Sequence, residues 1–184
     1  MKSFQISIVS LSILAACDAS GPATSRVRLL LTDAPGPGIE SAVVWVSRAY
    51  LTPGDSDGPV VVADVPSEHD LLQLQNGVTA LLGTATVPAG RYSQLRLVVD
   101  SARLTLVAGA TFDDGSSTKS LKVPSGSESG IKVSFPGGLD LTADADLVVD
   151  FDVADNFVFQ GPSSGPYRVL FTPHLKGTAQ PPQP

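Results

Sequence analysis

Apolar residues recur at every second position along most of this chain, and that period restricts its fold more than any other feature. Only a β-strand sends successive side chains to opposite faces. Residues 94–100 set Leu95, Leu97 and Val99 on one face and Gln94, Arg96 and Asp100 on the other. Residues 146–153 repeat the pattern, with Leu147, Val149, Phe151 and Val153 expected inward and Asp146, Asp150 and Asp152 outward. Further strands are expected at 27–32, 42–49, 60–63, 104–107, 120–123, 131–135 and 167–175. At 78–82 a short helical turn competes with a strand. Asp57-Gly58, Asn76-Gly77 and Asp114-Gly115 can supply the positive φ angles that tight turns need.

Many short strands with one apolar face bury it by packing as two antiparallel sheets around a common core, so the expected fold is an all-β, two-sheet β-sandwich. A small closed barrel is the alternative. Residues 26–176 suit one such domain, followed by a tail, 177–184, expected to be disordered. Trp45 is expected in the core or at its edge. With 18 acidic against 12 basic residues the net charge is −6, and such a surface repels nucleic acid.

The N-terminus follows a different logic. Lys2, an apolar stretch from Phe4 to Leu14 and small residues before Cys17 form the three zones of an export signal. About ten apolar residues are too few to span roughly 30 Å of hydrocarbon as a stable helix. Leu14-Ala15-Ala16-Cys17 resembles a bacterial lipobox, which implies cleavage after residue 16, a diacylglycerol on the Cys17 sulfur, and acyl chains such as palmitate. Each buried CH₂ of such chains holds the protein on a bilayer by about 0.8 kcal/mol. Cys17 is the one cysteine, so it can form no internal disulfide, and lipidation removes an otherwise free exported thiol. Residues 1–16 then read as a lipoprotein signal peptide and 17–25 as a flexible polar tether. The expected address is the cell envelope, outside the cytoplasmic membrane.

Several segments in order along the chain resemble a family of bacterial lipoproteins known as domain of unknown function 4382. They are Leu31-Thr32-Asp33-Ala34-Pro35, Asp70-Leu71-Leu72-Gln73-Leu74, Pro88-Ala89-Gly90-Arg91-Tyr92, Leu121-Lys122-Val123-Pro124-Ser125-Gly126, Ser129-Gly130-Ile131-Lys132 and Val149-Asp150-Phe151-Asp152-Val153. The resemblance implies a lipobox and a β-sandwich related to prealbumin-like and carbohydrate-binding-like modules. It implies no activity and no catalytic residues.

Catalytic patterns are weak. Gly161-Pro162-Ser163-Ser164-Gly165 matches Gly-x-Ser-x-Gly, but it lies between strands, and no acid falls between Ser163 and His174 as the hydrolase order requires. His69 and His174, the two histidines, read as surface or edge residues, and with Cys17 lipidated they cannot build a zinc cluster. Aspartates are enriched at strand ends and turns. Calcium wants six to eight oxygens, so Asp33, Asp150 and Asp152 are the candidates for such a site, against the plainer reading as solvated or turn-capping acids. The loop holding Ser125, Gly126, Ser129, Gly130 and Lys132 is the candidate ligand-facing segment. The function expected is a non-catalytic binding module for a glycan or an envelope protein, with a structural component of an envelope complex as the alternative and a hydrolase third. A glycan site would use the rings of Trp45, Tyr50, Tyr92 or Tyr167.

Overall fold

The structure, a computed structural model, describes residues 23–34, 36, 38–54, 58–64, 66–123, 129–162 and 165–183. The strands are β1 (Thr24–Thr32), β2 (Ile39–Pro53), β3 (Val60–Ala63), β4 (Ser67–Asp70), β5 (Ala80–Pro88), β6 (Gly90–Leu106), β7 (Thr118–Leu121), β8 (Ile131–Ser134), β9 (Leu139–Leu141), β10 (Ala145–Asp150), β11 (Phe157–Gln160), β12 (Arg168–Phe171) and β13 (Leu175–Gln180). A 3₁₀ turn, Leu71–Leu74, follows β4, and a single helical turn, α1 (Val153–Asn156), follows β10. The domain is all-β.

Eleven strands form one sheet in the order β3-β2-β6-β8-β13-β10-β1-β5, with β4 added to β2 and with β7 and β9 added to β6; β11 and β12 form a separate two-stranded sheet. The expected two sheets of a sandwich are therefore not resolved as separate layers. The main sheet curls like a barrel until its terminal strands, β3 and β5, face each other. Gly83 makes that approach possible: a Cβ there would lie 2.6 Å from the Val62 carbonyl oxygen and 2.8 Å from the Ala63 Cβ. The sheet is also mixed, since β1 runs parallel to β10 and β13 parallel to β8.

Curvature comes from bulges in the two longest strands. In β2 the buried positions run Ala42, Val44, Val46 and then Ala49, Leu51; in β6 they run Leu95, Leu97, Val99 and then Ala102, Leu104, Leu106. Each series skips one residue where the β2–β6 register slips, at Val46/Arg48 and beside Asp100. A bulge keeps both halves of a strand facing the same core while bending it. The two strands expected at 94–100 and 104–107 are thus one.

All these positions join one apolar core, to which Phe112, Phe151, Phe157 and Phe171 bring the largest rings. Each such side chain taken out of water contributes about 1.5–3 kcal/mol. Phe151, Phe157 and Phe171 stack with centroids 4.9–6.3 Å apart and tie the small sheet to the large one.

The edges of the domain differ from expectation. Ser25, placed in the tether by sequence, is buried and donates to the Leu141 carbonyl at 2.7 Å. Residues 177–180, expected to be loose, pair with β10 between Asp146 and Val149 as the second half of β13. Asp146, expected outward and wet, is fully buried. It faces outward but is covered by Arg28, whose Nε and Nη2 donate to its two carboxylate oxygens at 2.6 and 2.5 Å, and by the Gln183 backbone N–H at 3.0 Å. That ion pair holds the Asp146 carboxyl below its ordinary range and fastens the chain end to the sheet.

Candidate functional site

Asp33, Asp150 and Asp152 do come together, because β1 and β10 run parallel and end side by side, with Thr32 beside Asp150. One oxygen of each, however, accepts a backbone N–H. Asp33 Oδ1 accepts the Val153 N–H at 2.9 Å and its Oδ2 accepts Gln75 Nε2 at 3.5 Å. Asp150 accepts the Asp152 N–H at 3.1 Å, and Asp152, at φ 44°, accepts the Asp155 N–H at 3.1 Å to cap α1. Burial is the main cause that pushes Asp33 up to about 6 and raises Asp150; the neighbouring carboxylates add to both. A calcium cage needs many free oxygens around a void. Among the described residues no group of three or more acids, histidines or cysteines is arranged to hold a metal. These acids clamp a turn.

The histidines lie apart. His69 Nε2 is 2.8 Å from Ser67 Oγ on β4, and burial lowers its pKa. The adjacent Asp70 is committed elsewhere, to the Ser41 hydroxyl and the Ala42 and Leu72 N–H groups. Cys17, Ser125, Gly126 and Ser163 lie outside the described residues.

The remaining part of the candidate loop meets the outer face of the sheet. Tyr50 Oη donates to the Ser129 carbonyl at 2.7 Å, and Arg96 Nη1 donates to the same oxygen at 2.9 Å and to the Gly130 carbonyl at 3.3 Å. Gly130 has φ 68°, and a Cβ there would press on Arg96 at 3.2 Å, so the loop hugs β6 only with glycine at this position. Beyond it, β8 buries Ile131 and Val133 and turns Lys132 and Ser134 outward.

Register extends this face. Tyr50 pairs with Arg96, Arg96 with Lys132, and Ser134 with Lys176, which places His174 beside Lys132. Lys132, Ser134, His174 and Lys176 line one open depression of about 470 Å³, and Lys132 and Ser134 border a second of about 290 Å³ with Ser93 and Phe135. The outward alternation of Arg96 and Lys132 is readable in sequence. The arrival of His174 and Lys176 is not, because it depends on β13 pairing with β8 after a long excursion.

Of the four polar-edged aromatic rings, Tyr92 is buried, with its hydroxyl on the Pro88 carbonyl at 2.7 Å. Trp45, Tyr50 and Tyr167 are half-buried. Trp45 stands on the outer face rather than in the core, under the Arg103 guanidinium 4.8 Å from its ring centre.

Fold and surface together define a class: an all-β, barrel-like domain with Arg96 and Lys132 side by side on its outer face. Residues 24–169 match the family described as Domain of unknown function (DUF4382), and the chain belongs to that family. Neither the curated proteins nor the solved structures contain a match to it.

Proposed function

We propose that this chain is an exported bacterial lipoprotein, held outside the cytoplasmic membrane by acyl groups on Cys17, whose β-domain is a non-catalytic binding module for a glycan or an envelope protein. One observation carries the reading: the Leu14-Ala15-Ala16-Cys17 box stands directly after a signal-like apolar stretch and supplies the chain's one cysteine. β1 begins at Thr24, a few positions after Cys17, a separation too short to carry the domain far from a bilayer. No helix among the described residues is long and apolar enough to cross a membrane.

In finer detail, we read the curled sheet as a flattened barrel. Its β2–β6 half packs face to face on its β1–β10 half, which relates it to sandwich-type binding modules. The single core cluster drawn from both halves supports this.

Cys17→Ala followed by fractionation tests the anchor. Loss of the variant from the membrane fraction is the expected result, and its continued membrane association would overturn the reading.

A further inference from the structure

Arg96 and Lys132 are direct cross-strand partners on the outer face of β6 and β8. Like charges placed opposite each other on a sheet repel. Arg28, Arg48, Arg91, Arg103 and Lys176 each have a carboxylate within 3.7 Å. Among the described residues no carboxylate pairs with Arg96 or Lys132. In a chain of net charge −6 the two cations stand together on one outer face, and Arg96 is held in place. Arg96 is oriented by the carbonyls of Ser129 and Gly130 and by Gln94 Oε1 at 3.0 Å.

The pair does not stand alone. Tyr50 flanks it on β2, His174 and Lys176 on β13, and Gln94 and Ser134 add neutral hydrogen-bonding groups in the next row. Four neighbouring strands about 4.8 Å apart give the row a length of about 15 Å. That is an extended strip suited to a linear molecule with repeated acidic groups and hydroxyls.

We propose that the strip Tyr50–Arg96–Lys132–His174 binds an anionic polysaccharide, with Arg96 and Lys132 on its carboxylate or phosphate groups and Tyr50, Gln94 and Ser134 against its sugars. This rests on the binding-module reading and names its ligand class. A polysaccharide fits better than an anionic membrane. Membrane docking wants apolar side chains projecting beside the cations, and the exposed ones, Val61, Val78, Leu81, Val107, Val158 and Leu170, all lie off β8 and β13.

The test titrates the full chain, in detergent micelles with and without added phosphatidylglycerol, with polygalacturonate, a phosphate-bearing mannan and neutral dextran. The expected result is binding to one or both acidic polymers and none to dextran. In Lys132→Gln the Kd rises about fivefold, as loss of an exposed charged contact does. Lys132→Arg restores affinity, and Arg168→Gln on the separate two-stranded sheet leaves it unchanged. Thermal melting of each variant shows that the fold is kept. Three results would overturn the proposal: no binding to either acidic polymer, equal weakening by Lys132→Gln and Arg168→Gln, or loss of polymer binding when phosphatidylglycerol is added to the micelles. Because the titration needs no membrane anchor, its failure is separate from a failure of the Cys17→Ala fractionation.

Discussion

At the scale of single residues, Asp33 is a carboxyl group buried for the sake of a turn. Only 6% exposed, it holds the Val153 N–H that starts α1, and burial raises it from 3.8 to about 6. That shift sets up to about 3 kcal/mol against the ionised form. The folded state then binds the proton more tightly than the unfolded chain, so this residue's contribution to stability falls as pH rises from about 4 to about 6 and stays low above. Asp33→Asn keeps an oxygen for Val153 and removes the charge. It should stabilise the domain at pH 7 by about 1–2 kcal/mol and flatten the pH 4–6 segment of the melting-temperature profile. A variant less stable than the parent at pH 7, with that slope unchanged, would refute the assignment. The sequence showed these acids as strand-end aspartates but not their burial. Asp146 makes the same point, since its cover comes from Arg28, 118 positions away, and from Gln183.

Among the elements, alternation was legible wherever a strand keeps one phase, as in 94–99 and 147–150; the strand expected to run on to Val153 ends at Asp150, where the chain turns into α1. Alternation failed where the phase shifts. The polar residues near Asp100 read as a break between strands and are a bulge inside β6; Ser47 and Arg48 play the same part in β2. Polar edge strands, β4 above all with its Ser-Glu-His-Asp, carry no apolar period to read. β13 was missed because Lys176, Gly177 and Thr178 have the composition of a tail and become strand only when β8 and β10 flank them. Closure of the barrel rests on Gly83, where any side chain meets the Val62–Ala63 backbone. Gly83→Ala should cost about 1–3 kcal/mol by forcing β5 away from β3. Chemical denaturation measures it, and an unchanged midpoint would mean that the two strands do not abut.

For the whole molecule, the sequence made the all-β class readable, while the choice between separate layers and one curled sheet depends on pairings between distant segments. Of the candidate loop, Ser129, Gly130 and Lys132 lie among the described residues. The strip they join was not legible in the sequence, because β2, β6, β8 and β13 are assembled from across the chain. In the proposed function Cys17 links the domain to its address, and the intact mass of protein purified from membranes tests that link most directly. The account predicts a chain that begins at Cys17 and carries the added mass of a diacylglyceryl group on it. A membrane-derived chain that retains Met1, or that bears an unmodified Cys17 thiol, would contradict it.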